Sequence, residues 1–552
     1  MYTIVTMIRE QIRRDLAVAI SNFQFPISNE EIGVSRTTDA KFGDFSTNVA
    51  LKIRHGIKQS PIETAKILTD SLKDLPYVEK LEVAGPGFIN FFIKPEVWQE
   101  QVEDVPKAGA RYGANQSGKG KKARVEFVSA NPTGPLHFGN ARGGPIGDVL
   151  ASVLEFCGYK VVREYYHNDV GGQVVKLGDS VLKVAAGGKL EDQEYKGEYI
   201  RDLAYKLNSL IVSKINPNTP ITNVNVALNE FIGKEAVDVL FKEIKEDCKA
   251  MGITFDEFYP ESEFIKKGQT KAAFEKIKKF LKEKDGATWF APSDEFLKDR
   301  ETVVRKSDGS YTYFANDIAY HDLKFKDKPD LVIDIFGANH HGHVPRLQAV
   351  IKAFGYDVSK FHVILYQWVR FRKGKEILKM SKRSGTFVTA REVLEEVGRD
   401  ALRFFILMHD PNSHIDFDLE LAKQKSKENP VYYVQYAHAR ICSILANSKL
   451  KTQNSKLNPN YELLTTKYEL DLIKQISRLP ELVCDIAESF AVHRLTTYAT
   501  DLADSFHRFY ENCRIIGEKE DLTQARVALI QATKITLVNT LKLLGISAPE
   551  KM

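Results

Sequence analysis

Cysteine is scarce in this chain. Its 552 residues include five cysteines, far apart and without CxxC spacing, at positions 157, 248, 442, 484 and 513. Disulfide scaffolds are dense in cysteine, and thiolate zinc sites use closely spaced pairs. The scarcity argues for a reducing compartment, which we take to be the cytoplasm, and against a zinc site.

Long apolar runs and an excess of one charge are also missing. No run is long and apolar enough to cross a membrane, so no membrane partner is expected. Charged residues such as Arg9 and Arg13 among apolar ones indicate an amphipathic N-terminal helix rather than a signal peptide. With 78 Lys and Arg against 73 Asp and Glu, the formal net charge is +5. This balance permits a nucleic-acid partner without demanding one.

The chain is long enough for three or four domains, and 43% of its residues are hydrophobic. Residues 1–108 are predicted to form a small α/β domain, with helices Ser46–His55 and Pro61–Leu72 and a hairpin of strands Lys80–Ala84 and Phe88–Ile93. The Gly-, Ser- and Lys-rich stretch 112–122 is typical of a linker to the next domain.

The stretch Arg124–Asp148, RVEFVSANPTGPLHFGNARGGPIGD, dominates the middle of the chain. It predicts a strand at Val125–Val128, a loop, and a helix that opens at residues 137–140; a second strand, Val161–Tyr166, completes a βαβ unit. Such a helix start favours an anion such as a phosphate. The glycines at 139, 143 and 144 would leave room for a base or ribose. A glycine-rich turn alone remains weak evidence for any chemistry.

A second βαβ half follows a mostly helical insertion at about 176–290. The Asp308-Gly309 turn predicts a hairpin of the strands Thr302–Arg305 and Tyr311–Phe314. A strand, a helix and a strand follow, at Leu331–Phe336, Val344–Phe354 and Phe361–Tyr366. Two such halves predict an α/β, doubly wound, parallel Rossmann-like sheet. Its ligand site would lie in the loops after Val128 and Phe336.

Three histidines occupy the loop after Phe336, at 340, 341 and 343. Their spacing fits no zinc pattern, and no acidic residue or cysteine lies close in sequence. We therefore expect a role facing phosphate or adenosine, and no metal site.

The basic loop KGKEILKMSKR, residues 373–383, leaves the last strand of the sheet. Lysine-rich loops are often only solvated, but this one could close its lysines over a polyphosphate. Thr389 and Glu392 then form a capping-box pattern that starts a helix, and Asp400 starts the next.

From about residue 395 the pattern is helical, which gives predicted domains of 1–108, 109–394 and 395–552. Aromatic and basic residues interleave near Tyr432–Arg440 and Phe506–Arg514. They either pack the helices or stack on unpaired bases.

HFGN at 137–140 and KMSK at 379–382, on either side of a split nucleotide fold, resemble the two signatures of class I aminoacyl-tRNA synthetases. Within that class the chain is similar to arginyl-tRNA synthetases along nearly its whole length. The matching stretches are GDFSTNVALKI, GPGFINFF, VEFVSANPTGPLHFGN, EYKGEYI, KMSKRSGTFVTA, GRDALRFF, NPVYYVQYAHARI and LLGISAPEKM.

The resemblance implies activation of arginine by ATP, with Mg²⁺, to arginyl-adenylate, and transfer of arginine to the terminal adenosine of tRNA(Arg). In this family the N-terminal domain touches the outer corner of tRNA, the C-terminal domain reads the anticodon, and activation generally needs bound tRNA. We expect a monomer. Asn140 departs from the usual second histidine and cannot carry a positive charge, so an altered phosphate contact is expected.

The resemblance also assigns residues. The catalytic donors would be His137, Lys379 and Lys382. ATP would be bound by Pro135, His137, Gly139, Asn140, Gly337, His340, Lys379, Met380, Ser381 and Lys382. Arginine would be bound by Glu126, Ser129, Asn131, Glu261, Tyr313, Asp317, Asn339 and His340. Transfer RNA would be bound by Tyr432, Tyr436, Arg440 and Arg514.

The sequence leaves two alternatives. One is a class I synthetase for another amino acid, such as a glutamyl or cysteinyl enzyme, which the terminal matches disfavour. The other is a catalytically silent tRNA-binding paralogue, for which Asn140 is the single supporting residue.

Overall fold

The computed structural model describes residues 7–23, 27–57, 59–214, 226–298, 300–373, 376–378, 388–447 and 459–552. The N-terminal part contains, in chain order, α1 (Ile8–Ser21), β1 (Val34–Arg36), β2 (Phe45–Thr47), α2 (Val49–Ile57), α3 (Pro61–Leu72), β3 (Val78–Ala84), β4 (Phe88–Ile93) and α4 (Pro95–Ala108).

The four strands of this part form an antiparallel sheet in the order β1-β2-β4-β3. The predicted hairpin is confirmed as β3 and β4. Helix α3 begins as predicted, because Ser60 and Glu63 form a capping box and Pro61 occupies the first turn. The helix predicted from Ser46 begins later, at Val49, because Phe45–Thr47 pairs with β4 as a strand.

The central part contains, in chain order, β5 (Lys122–Glu126), α5 (Phe138–Ala141), α6 (Gly143–Phe156), β6 (Lys160–His167), α7 (Gly172–Ala185), α8 (Tyr199–Lys206), α9 (Asn208–Lys214), α10 (Val226–Ala250), β7 (Glu257–Pro260), α11 (Glu261–Lys266), α12 (Gln269–Lys276), β8 (Leu281–Lys284), β9 (Ala287–Phe290), β10 (Thr302–Arg305), α13 (Tyr313–Lys326), β11 (Leu331–Gly337), α14 (Val344–Ala353), β12 (Phe361–Tyr366), β13 (Val369–Lys373) and β14 (Glu376–Leu378).

The predicted doubly wound sheet is confirmed. Its five strands run parallel in the order β12-β11-β5-β6-β7. The chain winds from β5 outward through β6 to β7 and then returns to β11 and β12 on the other side. The order reverses between β5 and β11, where Glu126 and Asp334 stand in register. That point is where an open α/β sheet binds its ligand.

The structure adds detail to three predictions for the central part. The insertion is mostly helical, as predicted, but it also contains β7, which pairs with β6 in the main sheet, and strands β8 and β9, which form a second small sheet with β10 in the order β10-β9-β8. The predicted hairpin forms only in part: Arg305 bridges Tyr311 and the Thr312 N–H donates to the Val304 carbonyl at 3.0 Å, but helix α13 begins at Tyr313, and the strand that pairs along β10 is β9. The stretch 112–122 packs more closely than a linker, because buried Tyr112 donates a 3.1 Å hydrogen bond to the carbonyl of Ile476.

The C-terminal part is predominantly helical, as predicted, with one strand. It contains, in chain order, α15 (Ala390–Leu407), β15 (Ile415–Asp418), α16 (Leu419–Lys423), α17 (Pro430–Asn447), α18 (Lys467–Ile476), α19 (Leu479–Ser489), α20 (Arg494–Asn512) and α21 (Glu520–Leu544). The capping box of Thr389 and Glu392 is confirmed at the start of α15. This helix kinks at Gly398, whose φ of 79° is outside the helical range, close to the helix break predicted at Asp400.

One helix in the described part of the chain, α21, is long and apolar enough to cross a membrane, which corrects the expectation that no run meets that criterion. Of its apolar window, 72% is buried inside the protein. The helix packs against α4, α6, α17 and α20, as the central helix of a bundle does.

Candidate active site

A cavity of about 780 Å³ opens at the point where the strand order reverses. Its walls come from the ends of β5, β6 and β11 and from α11, α13 and the loop before α14. Ten of the residues assigned from sequence line it together: Glu126, Ser129, Asn131, Asn140, Glu261, Tyr313, Asp317, Gly337, Asn339 and His340. Pro135, His137 and Gly139 are not among its lining residues. Residues 379–382 lie outside the described part of the chain.

A strained turn carries the chain from β5 into the cavity. Val128 and Ser129 have φ values of 68° and 40°, a left-handed conformation that is rare for a β-branched residue. Such strain costs on the order of 1–3 kcal/mol and tends to occur at functional sites. The turn is held by the Tyr166 N–H, which donates to Ser129 Oγ at 3.1 Å, and by the Asn168 N–H, which donates to Asn131 Oδ1 at 3.2 Å.

Two carboxylates form one wall of the cavity. Glu261 is 3% exposed at the start of α11; its Oε1 accepts from Asn316 Nδ2, and its Oε2 is buried with no hydrogen-bond partner in the part of the chain that the structure describes. Burial, with smaller contributions from the charges of Asp317 and Asp169, raises the pKa of Glu261 to about 7, although the bond from Asn316 opposes the shift. A buried acceptor without a partner is costly unless a ligand supplies the donor.

Asp317 contributes the second carboxylate, one turn into α13. Its Oδ2 lies 3.0 Å from Nε2 of His343, one of the three histidines in the loop after β11. Tyr313, at the first turn of the same helix, is 52% exposed at the cavity mouth. The wall is therefore acidic with an aromatic rim, which suits a flat cation.

Beneath the cavity lies a buried charge cluster. The ammonium of Lys324 is 2.5 Å from Glu126 Oε2 and 2.5 Å from Asp334 Oδ1. His321 links this cluster to the wall, because its ring nitrogens lie 3.0 Å from Asp334 Oδ2 and 2.7 Å from the Asp317 carbonyl oxygen. Burial favours the neutral form of Asp334, but Lys324 and His321 outweigh it and lower the pKa of that carboxyl. The cluster anchors α13 to β5 and β11.

His137 caps the short helix α5. Its Nδ1 accepts from the Gly139 N–H at 2.8 Å, which fixes the ring at the helix start. The Phe138 N–H donates to the Val388 carbonyl at 3.1 Å, and the Ala390 N–H donates to the Leu136 carbonyl at 2.8 Å. The chain that follows residues 379–387 therefore returns directly beside His137.

Two of the glycines expected to face a base or ribose do not do so. Gly143 and Gly144 are buried in α6, where a Cβ atom would come within 2.9 Å of the Tyr366 ring and 2.6 Å of Ile253. Their role is close packing of α6 against strand β12 and against the segment between α10 and β7.

Sequence reasoning missed several residues of the site. Asn168 lines the cavity, and its Nδ2 is buried without a hydrogen-bond partner among the described residues. Asn316, Lys324 and His321 were missed as well. The signal that could have found the last three is their helical spacing with Tyr313 and Asp317, at steps of three and four residues.

A second candidate surface lies on the C-terminal helices. The rings of Tyr432 and Tyr436 stack at 6.3 Å, and Tyr436 is 41% exposed. His507 from α20 stacks on Tyr436 at 6.0 Å. The Arg440 guanidinium lies 4.8 Å from the Tyr510 ring and donates to its hydroxyl at 2.6 Å. Stacked aromatic rings with a nearby cation are typical of surfaces that bind unpaired bases.

Comparison with known proteins agrees with this geometry. The chain matches three family models: arginyl tRNA synthetase N terminal domain over residues 8–93, tRNA synthetases class I (R), catalytic domain, over 101–418, and DALR anticodon binding domain over 434–552. It is 44% identical over 533 residues to the arginine–tRNA ligase of Citrifermentans bemidjiense, covering 94% of this chain and 95% of that protein. The arginine–tRNA ligase of Caldanaerobacter subterraneus subsp. tengcongensis is 41% identical over 537 residues, covering 95% of this chain and 94% of that protein.

Two solved structures share the fold. The arginyl-tRNA synthetase of Thermus thermophilus matches with a TM-score of 0.79 at 24% identity and covers 99% of this chain and 100% of that one. That of Plasmodium falciparum matches with a TM-score of 0.76 at 19% identity and covers 100% of both. The catalytic model and the curated relatives settle the amino acid as well as the class: the chain belongs to the arginyl-tRNA synthetase, or arginine–tRNA ligase, family of class I aminoacyl-tRNA synthetases.

Proposed function

We propose that the cavity where the strand order reverses performs both steps of the arginine–tRNA ligase reaction. Family membership makes the chain a ligase with ATP, arginine and tRNA as substrates. The observation that carries the residue-level proposal is Oε2 of Glu261, which has no hydrogen-bond partner in the described part of the chain and belongs to the same acidic wall as Asp317. A guanidinium offers planar, forked donors, one of which could reach that oxygen while others reach Asp317.

Arginine would enter with its guanidinium between Glu261 and Asp317 and with Tyr313 over its side chain. Glu126, Ser129 and Asn131, at the end of β5, would then lie near the α-amino and carboxylate groups, while Asn339 and His340 would line the far side. Lys324 already neutralises one oxygen of Glu126, so the α-ammonium would use the other.

ATP would enter as its magnesium complex and lie against Pro135, His137, Gly139, Asn140 and Gly337. In the first step a carboxylate oxygen of arginine attacks the α-phosphorus in line and pyrophosphate leaves; in the second the 2′ hydroxyl of the terminal adenosine attacks the acyl carbon and AMP leaves. Both steps depend on positioning and on donors that meet the developing charge.

The donors we propose for pyrophosphate are His137, Lys379 and Lys382, with Met380 and Ser381 between the two lysines. Support comes from the return of the chain at Val388 beside His137. Asn140 lines the cavity as an uncharged donor, so it would contribute less to charge neutralisation than a histidinium would.

We further propose that Tyr432, Tyr436, Arg440 and Arg514 contact tRNA near the anticodon, and that bound tRNA is needed for arginine activation. A division at 1–108, 109–394 and 395–552 is the domain arrangement we propose. A monomer without membrane contact is proposed as well, and sedimentation at several concentrations tests the oligomeric state. All five cysteines are free thiols, which supports a cytoplasmic location.

The test is exchange of labelled pyrophosphate into ATP with purified protein, arginine or each competing amino acid, with and without total tRNA. We expect exchange with arginine alone among the amino acids, and with tRNA present. Exchange without tRNA would overturn the proposed tRNA dependence. Absence of exchange with every amino acid, while tRNA still binds, would favour the silent paralogue.

A further inference from the structure

A chain of buried side chains stands behind the acidic wall. Thr270 of α12 donates through Oγ1 to Asn316 Oδ1 at 2.8 Å, and Asn316 Nδ2 donates to Glu261 Oε1. The three residues are 1%, 2% and 3% exposed. They come from three different helices, α12, α13 and α11, so the hydrogen bonds fix Glu261 relative to α13, which carries Asp317.

An ionised carboxylate only accepts hydrogen bonds, so the NH₂ group of Asn316 faces Glu261. The amide oxygen is left on the other side, where it accepts from Thr270 Oγ1, and this bond holds the amide in that orientation. With Oε1 of Glu261 occupied, Oε2 is the atom left for a ligand, and it is the buried oxygen without a partner among the residues described. The amide therefore selects both the orientation of the carboxylate and the oxygen that it presents.

We propose that Asn316, oriented by Thr270, is a specificity-determining positioning residue that holds Glu261 as an ionised acceptor for a cationic guanidinium. This inference rests on the proposed function of the cavity. A donor that points at a carboxylate favours the charged form, whereas a protonated Glu261 could donate its own O–H to a neutral ureido oxygen. Asn316 thus separates arginine from uncharged analogues such as citrulline.

The other groups that face Glu261 oppose ionisation. Asp317 on α13 and Asp169 after β6 both raise its pKa, beyond the larger contribution of burial. The phenols of Tyr166 and Tyr313 also lie near enough to interact with it electrostatically. Among these neighbours Asn316 is the group whose hydrogen bond lowers the pKa of Glu261. Without the hydrogen bond from Asn316, burial and the acidic groups would raise the pKa of Glu261 further.

The experiment compares Asn316→Leu and Thr270→Val with the wild type, and Thr270→Ser, which keeps the hydroxyl, serves as the matched control. Pyrophosphate exchange in the presence of tRNA gives kcat and the KM values for arginine and ATP between about pH 6 and about pH 9, and citrulline is tested as an inhibitor. A rise of the Glu261 pKa from about 7 by about one unit corresponds to roughly a fivefold higher arginine KM at pH 7 and nearly tenfold at pH 6.

We expect that rise for Asn316→Leu and Thr270→Val, with recovery toward the wild-type KM at the highest pH and stronger inhibition by citrulline. The kcat and the KM for ATP should stay within roughly twofold of the wild type, because neither side chain lines the cavity and the expected change is confined to about one unit in the pKa of Glu261. A KM increase equal at every pH, or a parallel loss of ATP binding, would reduce Asn316 to a structural residue. Unchanged kinetics would also overturn the inference. If the wild type itself shows no exchange with arginine, the proposed function fails instead.

Discussion

The buried carboxylate of Glu261 makes arginine binding depend on pH in a way that can be worked out in advance. Its pKa is raised to about 7 before arginine binds. A guanidinium requires the ionised form, so affinity should increase as pH rises through 7 and level off above about pH 8. At pH 6 roughly one molecule in ten carries the carboxylate, which weakens binding by about tenfold relative to the plateau. Binding at pH 6 should release a proton.

Glu261→Gln removes both the charge and its titration. Loss of one partner from a buried, hydrogen-bonded charge pair costs about 2–5 kcal/mol, which corresponds to roughly a 30- to 5000-fold increase in the arginine KM. The pH dependence should flatten over the same range. Pyrophosphate exchange with tRNA, or calorimetry in buffers of different ionisation enthalpy, measures both effects.

Glu263→Gln is the matched control, since Glu263 lies in the same first turn of α11 but pairs with Lys267 at the exposed surface. It should leave both the KM and its pH dependence unchanged. A Glu261→Gln variant with a KM within about threefold of the wild type, well under the expected 2 kcal/mol, would refute the assignment of Glu261 as a guanidinium ligand.

Three further outcomes are expected. Because the folded-state pKa of Glu261 is raised to about 7 from 4.5, the folded protein loses stability as the pH rises from 4.5 to about 7. In thermal melts, Glu261→Gln should therefore stabilise the fold above pH 7, by up to about 3 kcal/mol, and have little effect near pH 4. Lys324→Met leaves two buried carboxylates without their cation, which should cost about 3–5 kcal/mol and lower the urea midpoint. Tyr436→Ala should weaken tRNA binding in a filter assay by about 1–3 kcal/mol, whereas the exposed Tyr205→Ala on α8 should not.

The main sheet was accessible from sequence because its local signals agree with its tertiary role. Strands β11 and β12 are short apolar runs between turn residues, and they were predicted within one residue of their bounds. Helix α3 carries its own start signal, a capping box with Pro61. Strand β7 had no such signal, since Glu257–Pro260 alternates weakly and becomes a strand only because β6 offers it an edge. Pairing between distant segments is not encoded in local periodicity.

The residues of the candidate site show the same difference between local signals and contacts with distant segments. Residues in contiguous motifs, such as Asn131 and Asn140, could be assigned by resemblance, and both line the cavity. Residues that act through partners could not be assigned in this way. In the sequence Lys324 is one more charged residue on a helix, and its role follows from Glu126 and Asp334, which neighbouring strands bring beside it. A buried lysine is identified by its surroundings, and these lie 198 and 10 residues away in sequence.

One error in the sequence interpretation explains most of the missed residues. Reading Tyr311–Phe314 as a strand placed successive side chains on opposite faces and left Tyr313 and Asp317 in different elements. In the helix that forms there, α13, a polar stripe follows the steps of three and four residues that place side chains on one face: Tyr313, Asn316, Asp317, Tyr320, His321 and Lys324. The stripe spans about 16 Å at the rise of an α-helix. It runs from the cavity mouth to the buried charge cluster, so a single helix supplies Asp317 of the acidic wall, the amide behind the wall and the cation beneath it. A polar stripe facing inward costs folding energy unless its members find partners. Beside it, Oε2 of Glu261 on α11 is buried without a partner among the described residues, and it is the atom that arginine would satisfy.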